Sequence, residues 1–201
     1  MTDIDDTTEQ VDGRVARRER NVNAVIDVVL ELFAEDSMFP TIEQAATRSG
    51  LSLRSLYRYF ADPGELLEAT IKRSDDLALE VSRLHAIGQG PFASRLENFV
   101  DMRLNVYDAI GSVMRATNAN AARHPRIRQE RTKNRNAMRE QFELQFAPEL
   151  AKRKPTERGA LVSAGDLLTQ IDSIEFLRRH RELSVAETRR VLVTSLETLL
   201  A

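Results

Sequence analysis

Residues 41–60, TIEQAATRSGLSLRSLYRYF, constrain this chain more than any other stretch. Thr41 followed by Gln44 reads as a capping-box start. Ile42, Ala45 and Ala46 then give a short first helix a small apolar face. Ser49-Gly50 breaks it, because glycine closes a helix in the left-handed conformation without a steric penalty. Ser52 offers a side-chain oxygen that can cap a second helix. A helix, a turn of a few residues containing glycine, and a second helix at a steep angle make a helix-turn-helix.

The faces of the second helix carry the functional argument. At about 100° per residue, Leu56 and Phe60 fall on one side and face a core. Arg54 and Arg58 fall roughly opposite; Leu53 and Tyr57 flank one edge, Ser55 and Tyr59 the other. Where such a motif binds DNA, the second helix enters the major groove. Guanidinium groups there pair with guanine, apolar groups touch thymine methyls, and hydroxyls reach phosphates or base edges. On that reading Leu53, Arg54, Ser55 and Arg58 are the base readers, and Thr41, Ser52, Tyr57 and Tyr59 are phosphate contacts. Arg14, Arg17 and Arg18, in a basic run just before the first apolar stripe, are phosphate contacts as well. The bland alternative is an amphipathic surface helix with solvated arginines.

The segment SGLSLRSLYRYFADPGELL resembles the signature of the TetR family of transcriptional regulators, and the resemblance extends over about residues 14–73. Three positions depart from the family pattern. Pro63 stands where the family usually carries a lysine that helps hold backbone phosphate; Ser37-Met38 stands where a glycine is common, and Ala45 where an isoleucine is common. The resemblance implies an all-α fold, with an N-terminal three-helix DNA-binding domain and a C-terminal bundle for effector binding and dimerisation. It implies a ligand-responsive repressor of double-stranded operator DNA. A small-molecule effector would move the fourth helix and change the separation of two reading heads. It also implies a homodimer through residues 156–201, with Leu168 and Leu192 in the contact.

Composition narrows the field. Formal net charge is −2, so any nucleic-acid contact must come from a local basic patch. The absence of cysteine excludes disulfides, cysteine zinc sites and thiol catalysis. There is no apolar signal core at the N-terminus and no run approaching ~20 apolar residues, so neither secretion nor a membrane span is supported and the expected location is the cytoplasm. Asp75-Asp76 resembles the start of a magnesium-binding DDxxD motif, but Leu79 stands where the last acid belongs. His85, His124 and His180 lack metal spacing. No metal, cofactor or enzymatic activity is expected. The rival from another class is an all-α interaction or enzyme module that has kept the fold without operator binding.

Along the chain, an acidic tail (residues 1–13) reads as disordered, residues 14–62 as the DNA-binding domain and residues 63–201 as the C-terminal domain. A fourth helix is predicted from Pro63 to about Ile87, and long helices over about 92–123, 126–146, 156–180 and to Leu200. Between 121 and 139, seven basic residues face one acid. Arg131 there, like Arg103 earlier, falls on an apolar helical face. The simpler account pairs such an arginine with Asp101, Glu97 or Asp108, or lets it reach water. The sharper account makes Arg103, Tyr107 and Arg131 effector contacts in a cavity.

Overall fold

The computed structural model describes the backbone of residues 5–36, 40–120 and 125–201, and side chains from residue 15 onward except 34, 36, 119, 120, 125 and 126 within those ranges. The described chain is helical, with no strand: α1 (Asp5–Asp36), α2 (Ile42–Ser49), α3 (Leu53–Tyr59), α4 (Pro63–Val81), α5 (Phe92–Asn120), α6 (Pro125–Gln145), α7 (Ala147–Leu150), α8 (Pro155–Thr169), α9 (Ile171–Glu175) and α10 (Val185–Leu200). No described helix is long and apolar enough to cross a membrane. No group of three or more His, Asp or Glu among the described residues could hold a metal ion.

Two compact units make up the chain: Met1–Asp76 with Ser112–Ala119, and Leu77–Gly111 with Asn120–Ala201. In the first, the stripe of α1 (Val25, Ile26, Val29, Phe33) packs with Ile42, Ala45 and Ala46 of α2, and with Leu56, Tyr59 and Phe60 at α3. Leu66 of α4 and Val113 and Ala116 of α5 belong to the same buried cluster. The sequence boundary at residue 62 therefore falls inside this unit, because Leu66 needs its apolar neighbours. The expected tail also differs: α1 is helical from Asp5, and residues 1–4 lie outside the described ones. Acidic side chains in a first helical turn are favoured by the helix dipole.

The second unit is built on Leu96, Phe99, Phe142, Phe146, Leu150, Ile174, Leu192 and Leu196. The rings of Phe99, Phe142 and Phe146 meet edge-on or tilted, with centroids 4.9–5.9 Å apart. Beside them Arg95 is fully engaged: it donates to Glu149 at 2.5 and 3.0 Å, to the Gln145 carbonyl and to the Gly90 carbonyl. Gln145 in turn accepts from Gly88 N–H at 3.2 Å. This network holds the 82–91 connection, where Ala86, Gly88 and Gly90 take positive φ, and explains why α4 ends at Val81 and not near Ile87. The helix expected over 156–180 is also interrupted. Gln170 is extended (φ −67, ψ 149), and Phe176–His180 winds as π-helix after α9. No glycine or proline marks that break.

Candidate nucleic-acid interface

The helix-turn-helix forms as its capping residues require. Thr41 Oγ1 accepts from Gln44 N–H at 3.2 Å, and Thr41 N–H donates to Gln44 Oε1 at 2.7 Å. Gly50 sits at φ +69, where only glycine is unstrained, and ends α2. Ser52 Oγ accepts from Ser55 N–H at 3.2 Å and starts α3. After α3, Asp62 accepts from Glu65 N–H at 3.0 Å while Glu65 accepts from Ala61 N–H at 2.6 Å, so Pro63 opens α4 in a reciprocal cap.

On α3, Leu56 and Phe60 are buried as their phase predicts. Arg54 and Arg58 are exposed, and with them Leu53 (39%) and Tyr57 (50%). That is a large apolar and cationic offering on a helix fixed at both ends. Ser52 is exposed, but its hydroxyl lies 2.9 Å from that of half-buried Ser55, so both are occupied in the cap.

Two of the expected phosphate contacts differ. Tyr59 does not lie on an exposed edge: its ring belongs to the core, and only its hydroxyl reaches out, accepting from Asn21 Nδ2 at 3.0 Å. The Thr41 hydroxyl is shared between Gln44 N–H and the Glu43 carboxylate, which is held below the usual carboxylate range by its own backbone N–H and then by Thr41. A hydroxyl so occupied beside an exposed carboxylate is a poor phosphate contact. Arg17 and Arg18 are exposed on α1, whereas the Arg14 side chain lies outside the described residues. Arg17 and Arg18 line a cleft of about 620 Å³ together with Asn21, Leu51, Ser55, Arg58 and Tyr59.

In the second unit the three candidate effector contacts have different surroundings. Arg103 is 1% exposed. It donates to Gln141 Oε1 at 2.8 Å and to the Met138 carbonyl at 2.7 Å, and lies over the Phe99 ring at 4.6 Å. The carboxylate pairing considered from the sequence is not made: Asp101 is taken by Arg189, at 2.6 and 3.0 Å. Arg103 Nε is buried without a hydrogen-bond partner. Burial pushes this guanidinium down to about 9, with Asp166 acting weakly against the shift. Arg131 is half-buried, its Nε also lacks a partner, and burial followed by neighbouring Arg135 lowers its pKa. Tyr107, one turn after Arg103 on α5, donates to Glu175 Oε2 at 2.8 Å. Arg103 is tied to α6 at Met138, two turns beyond Arg131, about 10 Å along the helix axis.

No family model matches the chain. Over 102 residues it is 31% identical to the HTH-type transcriptional regulator BetI of Escherichia coli, an alignment covering 50% of this chain and 51% of that protein. BetI of Klebsiella pneumoniae is 30% identical over the same length. The chain thus spans about half the length of the curated relatives it matches. Among solved structures, a TetR-family transcriptional regulator from Streptomyces coelicolor superposes with a TM-score of 0.69 at 24% identity, covering 90% of this chain and 80% of that one. A second structure assigned to that family, from Rhodococcus sp., gives 0.70 at 14% identity, covering 90% of this chain and all of the other. The chain has the TetR-family fold.

Within this TetR-type architecture, several hydrogen-bond partners were not foreseen from the sequence. Asn21 faces the Tyr59 hydroxyl from the polar side of the α1 stripe. Gln141, which holds Arg103, also donates to the Ser82 carbonyl at 2.7 Å. Polar residues spaced along a helix give no sign of what they will meet 38 residues away.

Proposed function

We infer that this protein is a ligand-responsive, DNA-binding transcriptional regulator of TetR type, a repressor released by a small-molecule effector. The observation that carries the reading is the surface of α3: Leu53, Arg54 and Tyr57 project from a short helix whose start, end and buried face are all fixed. Rigid presentation of an arginine and an apolar group is what base-edge readout needs. Arg54 and Leu53 are the base readers in this reading, with Tyr57 on a flanking phosphate. The protein acts as a homodimer through residues 156–201, where Leu167 (68% exposed), Phe176, Val185 and Val191 remain exposed on the single chain. Two heads related by a two-fold axis then read a near-palindromic operator, with half-sites one helical turn, ~34–36 Å, or a multiple apart.

For the effector, Arg103 is the anchor this reading favours. A buried guanidinium without a carboxylate partner and with one unused N–H suits an acidic or carbonyl-bearing compound, with Arg131 and Tyr107 as further contacts. An effector must bind the DNA-incompetent state more tightly to release the operator. Enrichment of duplexes from a random library should yield a palindromic sequence bound in a salt-dependent way. If nothing is enriched and no duplex is bound at low salt, the regulator assignment fails.

A further inference from the structure

Two glutamines one turn apart on α6 hold the connection that follows α4, and they hold it on different terms. Gln141 Nε2 donates to the Ser82 carbonyl at 2.7 Å, just beyond the last residue of α4. Gln145 Oε1 accepts from Gly88 N–H at 3.2 Å, further along the same connection. Gln145 is fastened on several sides. Its Nε2 donates to the Arg95 carbonyl at 3.1 Å, its own carbonyl accepts from Arg95, and Arg95 is neutralised by Glu149. Gln141 depends instead on Arg103. A guanidinium only donates, so it must face the amide oxygen, which leaves the amide N–H groups for Ser82. Arg103 therefore decides which way this amide points. It does so as a buried cation that has no carboxylate partner among the described residues and an Nε without a hydrogen bond. Between Ser82 and Gly88, Ala86 sits at φ +53, a conformation disfavoured for an L residue. The path of this stretch is imposed by its two anchors and not by its own preference.

We propose that Gln141 is the positioning residue through which Arg103 fixes the end of α4, and that a carboxylate bound at Arg103 opens this clasp while the Gln145 anchor holds. The proposal rests on the reading of Arg103 as the effector anchor and names the regulation of that site. Hydrogen bonds from a guanidinium to a carboxylate are roughly twice as strong as those between neutral groups, and the pair can be bidentate. Once drawn to such a group, Arg103 no longer orients Gln141, and the Ser82 carbonyl loses its fixed donor. The connection then pivots at Gly88. The last turn of α4, closed by Ser82 N–H on the Ala78 carbonyl at 2.9 Å, is free to fray. That turn belongs to the same compact unit as Arg103 and Gln141, since the first unit's share of α4 ends at Asp76.

The test is amide hydrogen exchange on the full chain, read at residues 79–82, with Gly88 and Leu150 as internal controls. Arg103→Met and Gln141→Met should each speed exchange at 79–82 by about 2–10-fold and leave both controls unchanged. The double variant should add nothing to either single one, because the same clasp is lost only once. Gln141→Glu separates the clasp from packing. Its carboxylate gives Arg103 an ionic partner, so the urea midpoint should rise, yet it has no N–H for Ser82 and exchange at 79–82 should still quicken. Straight-chain carboxylates from acetate to octanoate, followed by calorimetry and exchange, should open the same turn in wild type and not in Arg103→Met. The clasp is overturned if Arg103→Met leaves 79–82 at the wild-type rate, or if the double variant sums the two single effects. It is overturned as well if a carboxylate whose binding needs Arg103 leaves that turn unchanged. If no member of the series binds, the anchor reading falls together with the carboxylate trigger, while the variants still decide the clasp.

Discussion

Arg103 shows how one buried residue can oppose stability. Its charge is met by two neutral carbonyls and a ring face, and no carboxylate repays the loss of water. Replacing such a group with an apolar residue of similar length is often stabilising, by ~1–4 kcal/mol. Arg103→Met should fall at the low end, because it also forfeits the contact with Phe99 and frees Gln141 Oε1. The expected outcome is a higher urea midpoint at pH 7. The pH dependence has a definite sign. With a folded pKa of about 9, well below its value in the unfolded chain, the folded guanidinium releases its proton first as pH rises. The unfolded state then binds more protons, so wild-type stability rises relative to the variant above about pH 9. A stability difference that stays flat from pH 8 to 10.5 would refute this account. On the reading head, Arg54→Ala should cost ~1–3 kcal/mol on the enriched duplex and far less on a shuffled one, measured by fluorescence anisotropy.

At the scale of elements, α8 carries two glycines with opposite roles. A Cβ at Gly165 would sit 2.0 Å from Phe142 Cζ, so α6 and α8 approach only because that position is bare. Gly165→Ala should destabilise by ~1–3 kcal/mol, since a ring in a packed core has nowhere to move. Gly159 is exposed in the same helix with nothing within 4 Å of a would-be Cβ. Gly159→Ala should stabilise by ~0.5–1 kcal/mol through the unfolded-state entropy alone. Urea denaturation of both variants checks the pair; equal effects would mean the close approach is not what holds these helices. Gly50 belongs to a third case, being open in space but at φ +69, so any larger residue there is strained whatever the room.

For the whole molecule, the separation of buried from exposed apolar residues on the C-terminal helices sets the dimer test. Leu192, expected from the sequence at a subunit contact, is 1% exposed and belongs to the unit's own core, while Leu168 is half-buried. Leu192→Glu should therefore unfold the chain and report nothing about assembly. Leu167→Glu, at an exposed site, and Val191→Glu should leave the helical circular dichroism intact and shift sedimentation at micromolar concentration from dimer to monomer. A wild-type monomer under those conditions would rule out the interface.

Local rules were legible in the residues themselves. The capping box at Thr41, the left-handed stop at Gly50, the start of α4 at Pro63 and the inward faces of α1 and α3 follow from interactions within four residues, which a linear sequence displays. The resemblance to TetR regulators rested on that same stretch. What only tertiary structure decided was pairing at a distance. Asn21 meets Tyr59, Gln141 takes Arg103, and Arg189 claims Asp101. The helix break at Gln170 is of the same kind, since no residue there forbids a helix and only the packing of its neighbours selects the extended backbone. Helical phase tells which way a side chain leaves its own axis. Which group it meets depends on how separate helices pack, and that is settled by the sum of many weak apolar contacts spread over the whole unit.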